Sequence, residues 1–230
     1  MPKIFSSYLF CAVLSCFFWG NAHAQTTKPK TTATEGVKWY LYGGISANSY
    51  AGDLSSYERW GGFFHAGILN YRKRWLTPRF ELSYGSFSGQ NPRYNFADGT
   101  PNTFFAADMF TVSAHAQINI VKNKFFNFYI SQGIGLAKFW LYDKDNRDFE
   151  NQTRTRAIGE TYSTTTLLLP TNIGGKYIFP NDFSVGVEVG WLNTMTDYLD
   201  NISKWGTDAG NDNILRCKFS FYAPLVRLKQ

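Results

Sequence analysis

The side chains best suited to chemistry in this chain are charged groups at alternate positions: Arg79 and Glu81, then Arg216 and Lys218, with His115, Lys176 and Glu188 standing alone. A spacing of two puts both members of a pair on one side of an extended strand. Both signs are present, so the chemistry on offer is mutual neutralisation in a closed interior, or a path for a proton or small solute. His65 and His115 are the histidines left once the first residues are set aside. A catalytic histidine needs a nucleophile or carboxylate partner within reach, and neither belongs to a recognisable nucleophile motif. Both read as packed or hydrogen-bonded groups, and the chain as a non-enzyme without a cofactor. Gly43-Gly44 and Gly61-Gly62 lack the strand–loop–helix context of a phosphate cradle and read as bends. Asp53, Asp197 and Asp200 could ligate a hard cation or pin loops; the second role is favoured.

The elements that would carry these residues are strands. Around Glu188 the order is strict, with Phe183, Val185, Val187, Val189 and Trp191 on one side and Ser184, Gly186, Glu188 and Gly190 on the other. The same period of two recurs over 37–48, 61–71, 79–87, 110–120, 125–142, 163–179 and 214–225. Strand two has the least clear faces, and Pro170 marks an irregularity in strand six. Each segment pairs an apolar face with a small, polar or charged one. No stretch after the first residues holds about 18 uninterrupted apolar positions, so no transmembrane helix is expected.

The connections decide between a soluble sandwich and a membrane barrel. They read as short after strands two, four and six (72–78, 122–124, 180–182). They read as long and polar after strands one, three, five and seven, as in 88–108, 143–162 and 193–213. Barrels that cross an outer membrane sort their loops this way, tight on one side and long on the other. Segments of about 10 residues suit a tilted crossing, and an even number near eight closes the sheet and removes its edges. Aromatic residues make up 18% of the chain, which suits rings where lipid meets water. The reading is an all-β, closed, antiparallel up-and-down transmembrane barrel of about eight strands over 37–230. An eight-strand barrel is just wide enough for its side chains to fill. Arg79, Glu81, His115, Lys176, Glu188, Arg216 and Lys218 are therefore expected to plug the lumen, with Glu188 paired to Arg216 or Lys218 on the adjacent strand.

Residues 1–24 read as a cleavable export signal: Lys3, the apolar run 4–19, then Ala22-His23-Ala24. The segment 25–36 reads as a flexible periplasmic lead-in. Removing the signal removes Cys11 and Cys16 and leaves Cys217, so no internal disulfide can form. The formal net charge of +6 over the whole chain suits an acidic lipid surface; nucleic acid is not an expected partner of an exported chain.

Two motifs add a resemblance. Tyr50-x-Gly52-Asp53-Leu54 follows strand one, and Thr196-Asp197-Tyr198-Leu199-Asp200-Asn201-Ile202-Ser203 follows strand seven. Together with the strand order, they resemble the Bacteroidetes outer-membrane barrels grouped with the PorG-type component of the type IX secretion system. Asn201 departs from the acidic residue usual there. The resemblance implies a non-catalytic accessory of protein secretion or gliding machinery, set in outer-membrane lipid and anchoring a periplasmic ring protein or lipoprotein. Arg72-Lys73-Arg74-Trp75 is the turn expected to touch such a partner or, equally, lipid headgroups. A surface barrel whose long loops bind a ligand or host molecule, and a lipid-modifying enzyme, are the alternatives.

Overall fold

A computed structural model describes residues 38–71, 75–92, 102–160, 163–206 and 210–227. The expected signal, the lead-in and Arg72–Arg74 lie outside the described residues. Eight strands run in chain order: β1 Lys38–Gly52, β2 Ser55–Asn70, β3 Leu76–Gln90, β4 Phe104–Lys122, β5 Phe126–Tyr142, β6 Thr165–Ile178, β7 Ser184–Thr194 and β8 Asn213–Arg227. Each pairs antiparallel with the next, and β8 returns to β1 from Lys38↔Arg227 to Ala51↔Asn213, closing the barrel. Closure is what this pattern requires. With apolar side chains outside, an open edge would leave backbone N–H and C=O groups unpaired on the side away from water.

Alternation sorts the side chains. In β3, Phe80, Leu82 and Tyr84 face outward while Arg79, Glu81 and Ser83 are buried. The least clear strand resolves the same way, with Phe64 and Ile68 outside and Phe63, His65 and Leu69 inside. The wall has two aromatic belts. Trp60, Tyr84, Phe110, Trp140 and Trp191 are exposed toward the long-loop end; Trp75, Phe125, Phe126, Tyr177, Phe179 and Phe221 are exposed toward the short turns. The band between them is mostly aliphatic, with Ile45, Leu82, Val112, Ile134, Leu136 and Val187 among its residues, and it also carries Phe64, Phe80 and Phe219.

Two expectations need correction. The strands span 11 to 19 residues, not about 10, because the ladders continue beyond the apolar band. The connection after β1 is not long: β1 and β2 run on to a tip at Asp53-Leu54, with a register shift between Ser49 and Ala51. Pro170 does sit at an irregularity. Pairing of β6 with β5 lapses between Thr171↔Gln132 and Leu168↔Gly135, since proline offers no N–H to the ladder. It continues with β7 through Pro170↔Leu192.

Inside, the barrel is layered. A collar of Tyr40, Tyr42, Leu69 and Tyr222 with Tyr71 lies toward the short turns. The charged residues come next. Toward the long loops the interior turns apolar: Phe63, Phe87, Phe105, Met109, Phe139, Leu168, Leu192 and Ile214 form one cluster, capped by Leu54, Phe149, Leu199 and Ile202 from the connections. This inner apolar core was not expected.

Candidate functional site: a charged lumen and a loop clasp

The strands deliver the charged residues to one layer. Arg79, Glu81, His115, Lys176, Glu188, Arg216 and Lys218 are all buried. Glu188 accepts from Arg79 Nη1 at 2.6 Å and Nη2 at 3.1 Å, from Tyr129 Oη at 2.9 Å and from Tyr222 Oη at 3.4 Å. Its expected neighbour Lys218 stands at 3.6 Å. Its closest basic partner is thus Arg79, on the opposite side of the barrel. Arg216 pairs with Glu81 instead, at 3.0 Å. Glu81 also takes Lys218 and accepts from Tyr42 Oη at 3.0 Å. Although Arg79 Nε and Arg216 Nε and Nη2 find no hydrogen-bond partner, two carboxylates hold three cations in one layer, and tyrosine hydroxyls donate to both carboxylates. That is how buried charge becomes tolerable.

Lys176 is held differently. Its ammonium lies 4.3 Å from the centroid of Tyr71, 4.7 Å from Tyr222 and 5.8 Å from Tyr40, a cage of ring faces that attracts a cation. His65 Nε2 is 2.8 Å from Ser220 Oγ, and His115 Nε2 is 2.9 Å from Ser113 Oγ. Chemically each is a serine–histidine pair, but both pairs are buried inside the barrel. The glycines of β5 make room here. A Cβ on Gly133 would come within 2.7 Å of His115 Nδ1, and one on Gly135 within 2.2 Å of Val112 O.

The motif residues build a second structure at the long-loop end. Asp212, just before β8, accepts from Tyr50 Oη at 2.5 Å and from Leu199 N at 2.7 Å. Asp200 accepts from Leu54 N at 3.2 Å and from Ile202 N at 2.9 Å. Asn102 Nδ2 donates to Asp200 O at 2.8 Å, and Asn201 Nδ2 donates to Thr155 Oγ1 at 2.8 Å. Tyr198 Oη donates to Glu160 Oε1 at 2.7 Å. The segment after β7 is thereby tied to the β1–β2 tip, the β3–β4 connection and the β5–β6 connection at once.

Local backbone explains several motif positions. Asn201 has φ of 69°, in the left-handed region that asparagine tolerates well. Gly52 leaves the space in which Tyr50 meets Asp212; a Cβ there would fall 1.9 Å from Tyr50 Oη. Asp53 is buried with its carboxylate against Gly206, while Thr196 O accepts from Asp212 N at 2.9 Å and Ser203 O from Gly206 N at 2.8 Å. Asp197 is half-buried in the same segment. Asp212 completes the clasp and was not foreseen. Its signal, an acidic residue directly before the last strand, was too common to notice.

The carboxylates of the clasp act as acceptors for N–H and O–H groups. Among the described residues, no group of three or more acidic, histidine or cysteine side chains is placed to hold a metal ion. Burial pushes the Asp200 carboxyl up to about 7, against the lowering effect of the Tyr50 hydroxyl and the Ile202 and Leu54 N–H groups, with Asp53 adding to the rise. Burial raises Asp212 as well, with Asp200 as the next cause.

Of the turn Arg72-Lys73-Arg74-Trp75, the described residue is Trp75, exposed at the lower belt. No family profile matches this chain, and no curated protein does. Solved structures do align. Ail, the attachment invasion locus protein of Yersinia pestis, is 10% identical with a TM-score of 0.48, covering 82% of this chain and 99% of Ail. Neisserial surface protein A is 16% identical with a TM-score of 0.48, covering 83% and 100%. The outer membrane enzyme PagL is 18% identical with a TM-score of 0.37, covering 81% and 99%.

Proposed function

We propose that this chain is a non-catalytic outer-membrane barrel, with its short turns in the periplasm and its long loops outside the cell. The observation that carries this reading is the outer wall: a continuous apolar band, mostly aliphatic, flanked by two aromatic belts around a charged and buried interior. In water such a wall would be an aggregation surface; in a bilayer it matches hydrocarbon and its two boundaries. Cys217 is the built-in probe. It aligns with Val189 on β7 and Ala47 on β1, within that band. In cells neither a membrane-permeant nor a sulfonated maleimide should modify Cys217 quickly, read at its peptide by mass spectrometry. Both need a thiolate that hydrocarbon does not support, whereas the urea-unfolded chain should react with both. Fast reaction with both in cells would overturn a lipid-facing wall.

Within that reading, the barrel serves as an anchor for the type IX secretion or gliding machinery, holding a periplasmic ring protein or lipoprotein to the outer membrane. Support comes from the resemblance of the two motifs and from the filled lumen, which suits an anchor better than a conduit. Their clasp lies at the end away from the short turns, so in this role it braces the barrel and does not touch the ring. Purification from native cells in mild detergent should bring a ring component along. A barrel recovered intact without one would remove the secretion role and leave the barrel standing.

One observation favours loop recognition as a second reading. A cleft of about 210 Å³ opens between the long connections, lined by Asn102, Phe104, Asp143, Gln152 and Thr155 among others. Lipid modification has less support, because both serine–histidine pairs face the lumen and not the lipid.

A further inference from the structure

One buried charge of the lumen stands outside the ion pairs. Arg79, Arg216 and Lys218 share the carboxylates of Glu81 and Glu188. Lys176 is 3% exposed, and among the described residues no carboxylate pairs with it. Glu188 is already taken by Arg79, Tyr129 and Tyr222. Across the ladders from Lys176 stand Asn127 on β5 and Gly186 on β7, neither of them charged. Around its ammonium lie the rings of Tyr71, Tyr222 and Tyr40. Tyr71, the closest of the three, has a buried hydroxyl without a hydrogen-bond partner. Lys122 Nζ lies 3.6 Å from the centroid of that same ring. It has a further interaction of its own and counts here as a neighbouring charge, not a ligand.

We propose that Lys176 and the Tyr71 hydroxyl bind a small inorganic anion, of chloride size, at the short-turn end of the lumen. A charge taken out of water needs an opposite charge or hydrogen bonds in return. Ring faces attract an ammonium but bring no net charge, so the buried lumen still holds four cations, Arg79, Lys176, Arg216 and Lys218, against Glu81 and Glu188. The ammonium offers N–H and the phenol offers O–H, and an anion accepts from both. Tyr40, Tyr42, Leu69 and Tyr222 fill the collar around this point, which favours a monatomic ion over phosphate or an organic acid. Lys122 adds to the positive potential that draws an anion there. The site belongs to the interior and does not depend on what the barrel anchors.

The full chain is refolded in an uncharged detergent and titrated with sodium chloride, with the chlorine NMR line width as the readout. Wild type should show saturable broadening above that of the detergent alone. K176M should lose it, and Y71F should weaken the binding about tenfold. K124Q changes an exposed lysine at the same end and should leave the binding as it is. Folding of each variant is read from the fast-migrating band of unheated gel samples. Equal saturable broadening in folded K176M overturns the proposal. So does its absence in wild type, the result a neutral Lys176 would give. Loss in K124Q would assign the ion to the surface and overturn it as well. Should K176M not fold, Y71F decides, and an unchanged affinity there rejects the site.

Discussion

Glu188→Ala is the substitution with the clearest expected consequence. Glu188 is 2% exposed and accepts two charged hydrogen bonds from Arg79 and one from Tyr129 within 3.1 Å. Its loss leaves Arg79 without a carboxylate at bonding distance and leaves Glu81 to neutralise the layer alone. Hydrogen bonds to a charged group contribute about 1.5–3 kcal/mol each. They are not additive here, because they share one acceptor, so the figure for a broken buried pair applies: a loss of about 3–5 kcal/mol. The assay is equilibrium urea unfolding of the barrel refolded in lipid vesicles, followed by tryptophan fluorescence. The companion variant R79M/E188M removes both charges and should recover at least half of the loss, since a buried pair replaced by apolar groups is often neutral. A Glu188→Ala barrel within about 1 kcal/mol of wild type would refute the reasoning, because the layer would then not be bonded as described. A double variant no better than the single one would show that void and not charge sets the effect.

Two further outcomes concern the seam and the clasp. A Cβ on Gly44 would fall 1.9 Å from the Phe219 carbonyl oxygen of β8, so Gly44→Val should prevent β1 and β8 from pairing and abolish the fast-migrating folded band of unheated samples in SDS gels; a persisting band contradicts it. In the clasp, Tyr50→Phe leaves Asp212 Oδ1 without its donor and should loosen it by about 1–3 kcal/mol, read as faster exchange of the Leu54, Leu199 and Ile202 amides. The same amides report pH. Asp200 titrates near 7 in the closed clasp and near 3.8 when open, so the closed form binds the proton more tightly. That contribution is complete below about pH 4 and is lost as pH rises through about 7. After correction for intrinsic rates, the Leu54 and Ile202 amides should exchange faster at about pH 9 than at about pH 6. Unchanged protection across that range would reject the linkage.

What could be read in advance followed from alternation. Where one face is apolar and the other charged, as in Phe80, Leu82 and Tyr84 against Arg79, Glu81 and Ser83, the period of two placed the residues and their faces. It failed where both faces are apolar. The run Phe104 to Phe110 carries Phe105, Ala107 and Met109 inward, with Phe104, Ala106, Asp108 and Phe110 on the other face, so aromatic residues on both sides, broken only by Asp108, hid the start of β4 and the inner core. The β1–β2 tip was hidden for a related reason: Tyr57, Glu58 and Arg59 look like loop residues but belong to a strand that has left the apolar band. Pairing across the lumen was not legible. Neighbouring strands suggested Lys218 or Arg216 for Glu188, yet the closest partner, Arg79, meets it only because the sheet closes. Distances set by closure have no trace in local spacing.

The clasp has a consequence for how the outer surface can change. Because Leu54, Asn102, Thr155 and Glu160 all meet the segment after β7, the four connections do not drift independently. Lengthening one of them near its tie shifts the others, and a tolerated insertion must fall beyond those ties. The tip at Ile158 and Gly159 projects between the ties at Thr155 and Glu160, in a turn closed by Glu160 N donating to Ala157 O at 3.0 Å. An insertion there meets that condition where it leaves this closure in place: Ile158 is fully exposed, and Gly159 has φ of 74° and nothing near its missing side chain. An epitope displayed there would extend from a braced platform while the rest of the surface kept its shape.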